Sequence, residues 1–304
     1  GYLNLFQILT HDILPVFSIL MLGFVMGRMQ FISNSEATIL NRVAFLILQP
    51  ALIFPLINGV DFSQFYFDAI ALYAASQVVI FLFALFIALF IFRCVLIEAW
   101  LLAMSTIFVN SLLYIWPIST FIYGSDGNLP IRGLVVWDAA FTFSFFIITT
   151  ELLASRGNSI RYGILRLVKN PVLIFIGLGL LTNFFRVDTP DPILRALNFA
   201  GAGAAPLTLF ALGVILSSHG LWPTKKITSF SLIKLFAFPL ILSAFLNYGY
   251  RPSIWNELPL LSAAGPSGAM AFALAVLYKV RTDTIAPVII WTSILTLISL
   301  AWLA

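Results

Sequence analysis

Three kinds of residue interrupt the apolar runs of this chain and could do chemistry there. Asn110, in FVNSLLYIWPI, carries an amide that donates and accepts, and Asp138, in LVVWDAAFTFSFF, carries a carboxylate. The stretch AAGPSGAMAFALA, Ala263 to Ala275, sets Gly265, Pro266, Ser267 and Gly268 where the flanking pattern calls for a helix. Pro removes a backbone donor and Gly weakens a helix interior. A helix broken there frees N–H groups at the start of its second half, and these groups, with the positive end of the helix dipole, attract anions. Pro117, seven residues after Asn110, marks a second break of the same kind. The chemistry on offer is therefore anion recognition by Asn110 and freed backbone, with Asp138 as a proton carrier or cation ligand. Plainer roles remain open for each: a proline kink, an amide that ties helices together, a serine bonded to its own preceding turn, or a carboxylate that reaches the interface.

Covalent and metal chemistry find no support. Cys94 is the single cysteine and has no His or Cys at ligand spacing, so no metal site is expected. No Asp-rich motif and no Ser/His/Asp set stands out, and no cofactor is implied.

These residues lie in a chain of 304 residues that is 61% hydrophobic and 9% charged, with a mean hydropathy of +1.05. A soluble domain carries roughly a quarter charged residues, so the fold class is an all-α polytopic membrane protein. A span needs about 20 apolar residues, which divides the chain into about ten spans centred near Leu20, Leu48, Leu82, Leu112, Ser144, Leu178, Leu207, Leu240, Met270 and Leu295. The net charge of +4 does not indicate nucleic acid, because the cations sit in short loops rather than on one solvated face. Connections after odd-numbered spans hold most of them, among them Arg28, Arg93, Arg161, Lys225 and Lys279, whereas those after even-numbered spans hold only Arg132, Arg186, Arg195 and Arg251. The positive-inside rule then places the rich side in the cytoplasm and both termini outside. Lys234, near the cytoplasmic end of the eighth span, is expected to snorkel.

The two halves resemble each other. PVFSILMLGF at Pro15 matches PVLIFIGLGL at Pro171, each with a Gly eight positions on, and PALIF at Pro50 matches PLTLF at Pro206. The spacing is the same in both halves, since 50 − 15 and 206 − 171 both equal 35. Pro117 and Pro266 make a third pair, with the offset shortened by seven residues. Residues 1–154 and 171–304 thus form two repeats of about five spans, joined by a cytoplasmic linker, 155–170. An odd number of spans inverts the second copy, the arrangement of secondary transporters.

At these residues the chain resembles the auxin efflux carrier family, which includes plant PIN proteins and bacterial malate or malonate permeases. The resemblance runs through NRVAFLILQPALIF, FVNSLLYIWPI, KNPVLIFIGLGLL, AAPLTLFALGVIL, KLFAFPLI and PSGAMAFALAVLYKVRTD, nearly the whole chain. It implies two inverted five-helix repeats with the fourth and ninth helices broken and crossing, a scaffold of helices 1, 2, 6 and 7, and a transport domain of helices 3–5 and 8–10. It further implies a secondary transporter of a small organic anion, auxin-like or malate-like, working by an elevator-type movement in a bacterial inner membrane, often as a homodimer. Asn110 and Pro117 match the family's first crossing helix, and Pro266, Ser267 and Ala269 the second. Val109, Trp116 and Met270 depart from the pattern and imply a narrower, drier site. A transport-dead ligand sensor and a membrane-embedded enzyme are the alternatives.

Overall fold

The computed structural model describes residues 2–124, 127–154 and 160–303. Chain order gives α1 (Asn4–Arg28), α2 (Asn34–Asn58), α3 (Phe67–Ile91), α4a (Leu96–Ser105), α4b (Ser111–Tyr123), α5 (Leu129–Ala154) and α6 (Pro171–Phe184). It continues with α7 (Asp191–Leu216) and α8 (Lys225–Leu246), then α9a (Ile254–Ala263), α9b (Met270–Leu277) and α10 (Ile285–Leu303). Six of these are long and apolar enough to cross a bilayer unaided, and the fourth and ninth crossings are each assembled from two short halves. The protein is a multi-pass, all-helical membrane protein. Of the linker expected at 155–170, Ile160–Val168 forms a helix bent by 62° from α6; residues 155–159 lie outside the described residues.

Contacts between connections sort them onto two faces. On one, the Arg28 guanidinium donates to the His219 carbonyl at 2.7 Å, the His219 ring lies 3.1 Å from the Thr282 hydroxyl, and Lys226 pairs with Glu98 at 3.0 Å. On the other, the Asn183 amide donates to the carbonyls of Ile57, Asn58 and Val60, and Arg251 pairs with Asp68 at 3.1 Å. Connections after odd-numbered crossings thus meet one another, as do those after even-numbered ones, which fixes the alternation of directions along the chain.

Proline shapes the interior of several crossings. Its ring would strike the carbonyl four residues back, and it supplies no N–H. Two residues before each of Pro15, Pro50, Pro117 and Pro239 ends a wide turn, Leu9–Ile13, Ala44–Leu48, Ser111–Ile115 and Ile233–Ala237. In each, the residue just before the proline bonds to a carbonyl five residues back, as Trp116 does to Ser111. The helix loosens by one residue and continues.

The repeat is visible in the packing. α1 lies against α7 so closely that a Cβ on Gly23 would stand 2.1 Å from the Phe210 carbonyl oxygen, and one on Gly213 would stand 2.1 Å from that of Leu20. In the matching contact, α6 meets α2 with Gly179 over Ile57, at a gentler 3.1 Å. Small residues admit such approach where hydrocarbon gives helices no hydrophobic reason to associate. Gly23→Ala should therefore lower thermal stability in detergent by about 1 to 3 kcal/mol through overpacking, whereas Gly177→Ala, which faces open space, should leave it unchanged; equal melting temperatures for the two variants would contradict the α1–α7 contact.

Candidate functional site

α4a ends at Ser105, and the Ser105 and Thr106 hydroxyls turn back onto the carbonyls of Leu102 and Ala103. α9a ends just before Pro266, which cannot continue its hydrogen bonds. The two extended segments cross and pair. Val109 and Ser267 form an antiparallel bridge, in which the Asn110 N–H donates to the Pro266 carbonyl at 3.2 Å and the Gly268 N–H to the Phe108 carbonyl at 2.8 Å. Backbone freed by one break thus satisfies backbone freed by the other, as hydrocarbon requires. Gly268 permits the approach, because a Cβ there would stand 2.7 Å from the Phe108 ring. The Ser267 hydroxyl donates to the Ser105 carbonyl at 2.7 Å, and its N–H to the Thr292 hydroxyl at 3.1 Å.

This placement revises the third proline pair. Asn110 and Ser267 stand together at the crossing, and 267 − 110 equals 157, close to the offset of 156 between Pro15 and Pro171. The repeat runs through the break with its offset longer by a single residue, so Pro117 and Pro266 are not equivalent. Pro266 lies in the crossing segment itself. Pro117 is inside α4b and lines a separate apolar cavity of ≈ 480 Å³ with Pro15, Trp116 and Pro206; its effect on the crossing runs through the wide turn Ser111–Ile115 with which α4b begins.

Beside the crossing lies a cavity of ≈ 140 Å³. Its walls include Asn41 and Gln49 of α2, Phe108 to Leu113, Asp138 and Phe143 of α5, Asn170, Thr208 of α7, and Gly268 to Met270. The first turns of α4b and α9b both open onto it. Some of its polar groups are already engaged: the Gln49 amide donates to the Thr208 hydroxyl at 3.3 Å, and the Asn170 side chain caps α6. Asn110 is different. It immediately precedes α4b, and its side chain caps nothing.

Asp138 is 3% exposed and lies in a further wide turn, Trp137–Thr142, which no proline follows. Its Oδ1 accepts from the Gln77 amide at 2.9 Å and the Thr142 hydroxyl at 3.1 Å, while its buried Oδ2 has no partner among the described residues. Gln77 also donates to the Ile107 carbonyl at 3.1 Å and accepts from the Trp137 indole at 2.7 Å. Of the expected site residues, then, Asn110, Asp138 and Gly268 line one cavity. Gly265, Pro266 and Ser267 build the crossing behind it, and Pro117 faces elsewhere.

Sequence reasoning missed two residues. Gln77 had no signal beyond one amide in a long apolar helix. Lys234 does not snorkel: its side chain is fully buried and bonds the carbonyls at the end of α9a, where the broken helix supplies acceptors that an intact one would not.

Residues 8–303 match the family described as "Membrane transport protein". The chain belongs to this family. The resemblance to auxin efflux carriers therefore holds over nearly its full length, and the protein is a membrane transporter rather than an enzyme. Among relatives of this transporter, the "Putative malonate transporter" of Rhizobium meliloti is 24% identical over 303 residues, covering 95% of this chain and 92% of the other. An "Uncharacterized transporter" of Methanothermobacter thermautotrophicus is also 24% identical, covering 96% of each chain, and one of Methanocaldococcus jannaschii is 24% identical over 95% of this chain and 96% of its own.

The polar cluster makes a prediction of its own. Gln77→Leu leaves the Ile107 carbonyl and the Trp137 indole unpartnered and removes one donor from Asp138. At about 1 to 3 kcal/mol for each buried polar group left unsatisfied, it should destabilise the transporter more than Gln49→Leu, which strands only the Thr208 hydroxyl; the order of melting temperatures in detergent checks this.

Proposed function

We propose that this transporter is a secondary carrier of a small organic anion, taken up at the cavity beside the crossed helices. The observation that carries this reading is the convergence, on one small cavity, of two half-helix N-termini and the uncommitted Asn110 amide. First-turn N–H groups have no intrahelical acceptor, and the dipole places positive potential at the same end. A carboxylate answers both. Phe45, Phe108 and Phe143 line the rest of the cavity, so the anion is compact with an apolar body, malonate-like or auxin-like in class. Malonate is the first compound to test, because one relative bears its name.

Asp138 shares that wall. An ionised carboxylate there would repel the substrate, so the anion and a proton enter together, the proton carried by Asp138. Movement follows an elevator scheme in which α3–α5 and α8–α10 move against a scaffold of α1, α2, α6 and α7, with the cavity at the boundary between the two groups. We place the cation-rich face in the cytoplasm of a bacterial inner membrane, both termini outside, with scaffolds paired in a homodimer.

Flux into proteoliposomes tests the class, since a sensor or an enzyme would move no anion. Within that assay, Asn110→Ala removes a hydrogen bond to a charged group, worth about 1.5 to 3 kcal/mol. Affinity for the transported anion should fall roughly ten- to a hundredfold while the protein stays folded; unchanged affinity would return Asn110 to a purely structural role.

Asp138→Asn should keep anion binding but uncouple flux from an imposed pH gradient, because the amide resembles the protonated acid. A mutant whose flux still follows the gradient as the unmodified protein's does would remove Asp138 from coupling.

A further inference from the structure

α8 crosses beside the broken ninth crossing, and its wide turn Ile233–Ala237 carries Lys234. The Lys234 ammonium donates to the Ala263 carbonyl at 2.5 Å and to the Gly265 carbonyl at 2.8 Å. It also stands 5.3 Å from the centroid of the Phe238 ring. Ala263 is the last residue of α9a and Gly265 lies in the break, so both acceptors belong to the negative end of a half-helix. Burying an ammonium costs several kcal/mol unless other groups replace its water. No acidic side chain forms an ion pair with it among the described residues; the carbonyl pair, the dipole and the aromatic face take the place of water.

The first half solves the matching problem with a neutral group. Gln77 precedes Lys234 by 157 residues, the offset that separates Asn110 from Ser267. Its amide donates to the Ile107 carbonyl at the break between α4a and α4b. One break is therefore closed by an amide and its repeat mate by a lysine amine.

Unwound carbonyls and half-helix C-terminal ends are where broken-helix transporters coordinate Na⁺ or a proton. Here an ammonium already stands there. We propose that Lys234 is a tethered cation which permanently fills the coupling-ion position of the second broken helix, so that this carrier neither binds nor needs an alkali cation. At this position the positive charge stays with the crossing throughout the cycle, and no alkali cation arrives there with each substrate; the proton on Asp138 is a separate charge at the cavity wall. The inference adds to the transporter reading the identity of the group at the ion position; its test reads stability, so a failure of either one is separable from the other.

The experiment is thermal unfolding of the purified protein in detergent, with NaCl titrated against choline chloride at matched ionic strength, on the unmodified chain and on Lys234→Ala. The unmodified protein should show no preference for Na⁺ over choline. Lys234→Ala should melt roughly 5 °C or more lower and regain part of that loss with Na⁺ or with ethylammonium, whose charged end can occupy the vacated position, but not with choline. If the variant does not fold, the response of the unmodified protein decides. A Na⁺-specific rise in its melting temperature would overturn the proposal, as would a Lys234→Ala protein that melts like the unmodified one or is restored by neither cation.

Discussion

Everything in this molecule is arranged around the requirement that a peptide group in hydrocarbon must have a partner. Two helices are broken at membrane depth, and each break alone would strand several carbonyls and N–H groups at a cost of kilocalories apiece. Setting the breaks across each other turns that cost into a joint, because the strand-like pairing of Val109 with Ser267 lets each repair the other. The remaining groups are met from neighbouring helices, by Gln77 and Lys234 at the carbonyl ends and by Ser267 and Thr292 across the joint. The N–H ends of α4b and α9b are treated differently. They border a cavity, the place where we propose that the anion binds.

Much of this was legible in the sequence because hydropathy and repeat spacing are direct records of bilayer physics. Runs of about 20 apolar residues set the number of crossings, and Pro15, Pro50, Pro171 and Pro206 exposed the duplication through their equal spacing in the two halves. Asn110, Asp138 and Gly268 stood out for a related reason: a polar or helix-weakening residue in such a run needs an explanation. The register of the repeat through the break was harder. Pro117 and Pro266 look alike as letters, yet one lies inside a continuing half-helix and the other in the crossing segment, and only the bridge between Val109 and Ser267 separates the two situations.

Lys234 and Gln77 were hidden by the opposite effect. A long cationic side chain near a span end ordinarily reaches for water, and nothing local to SFSLIKLFAF reports that two carbonyls lie closer. Those acceptors belong to residues 29 and 31 positions away, exposed by a break in another crossing. Partnerships of this kind are tertiary facts. Sequence patterns report the burial that each residue can tolerate by itself, and they fall silent where one element's defect supplies another's ligand.

The wide turns ahead of Pro15, Pro50, Pro117 and Pro239 carry a consequence for how such chains diverge. A bond that reaches five residues back in place of four holds one surplus residue, and at 3.6 residues per turn that residue swings everything beyond it by about 100°. A helical wheel drawn through any of these crossings therefore fails at the turn, with the lipid-facing stripe on one side passing into the protein-facing stripe on the other. It also follows that gaining or losing a single residue is least disruptive at these points, where the backbone already accommodates a change of phase. In alignments of distant relatives, one-residue gaps inside crossings should gather a turn before a proline and be scarce where α1 and α7 touch at Gly23 and Gly213, since a rotation there would drive a side chain into backbone.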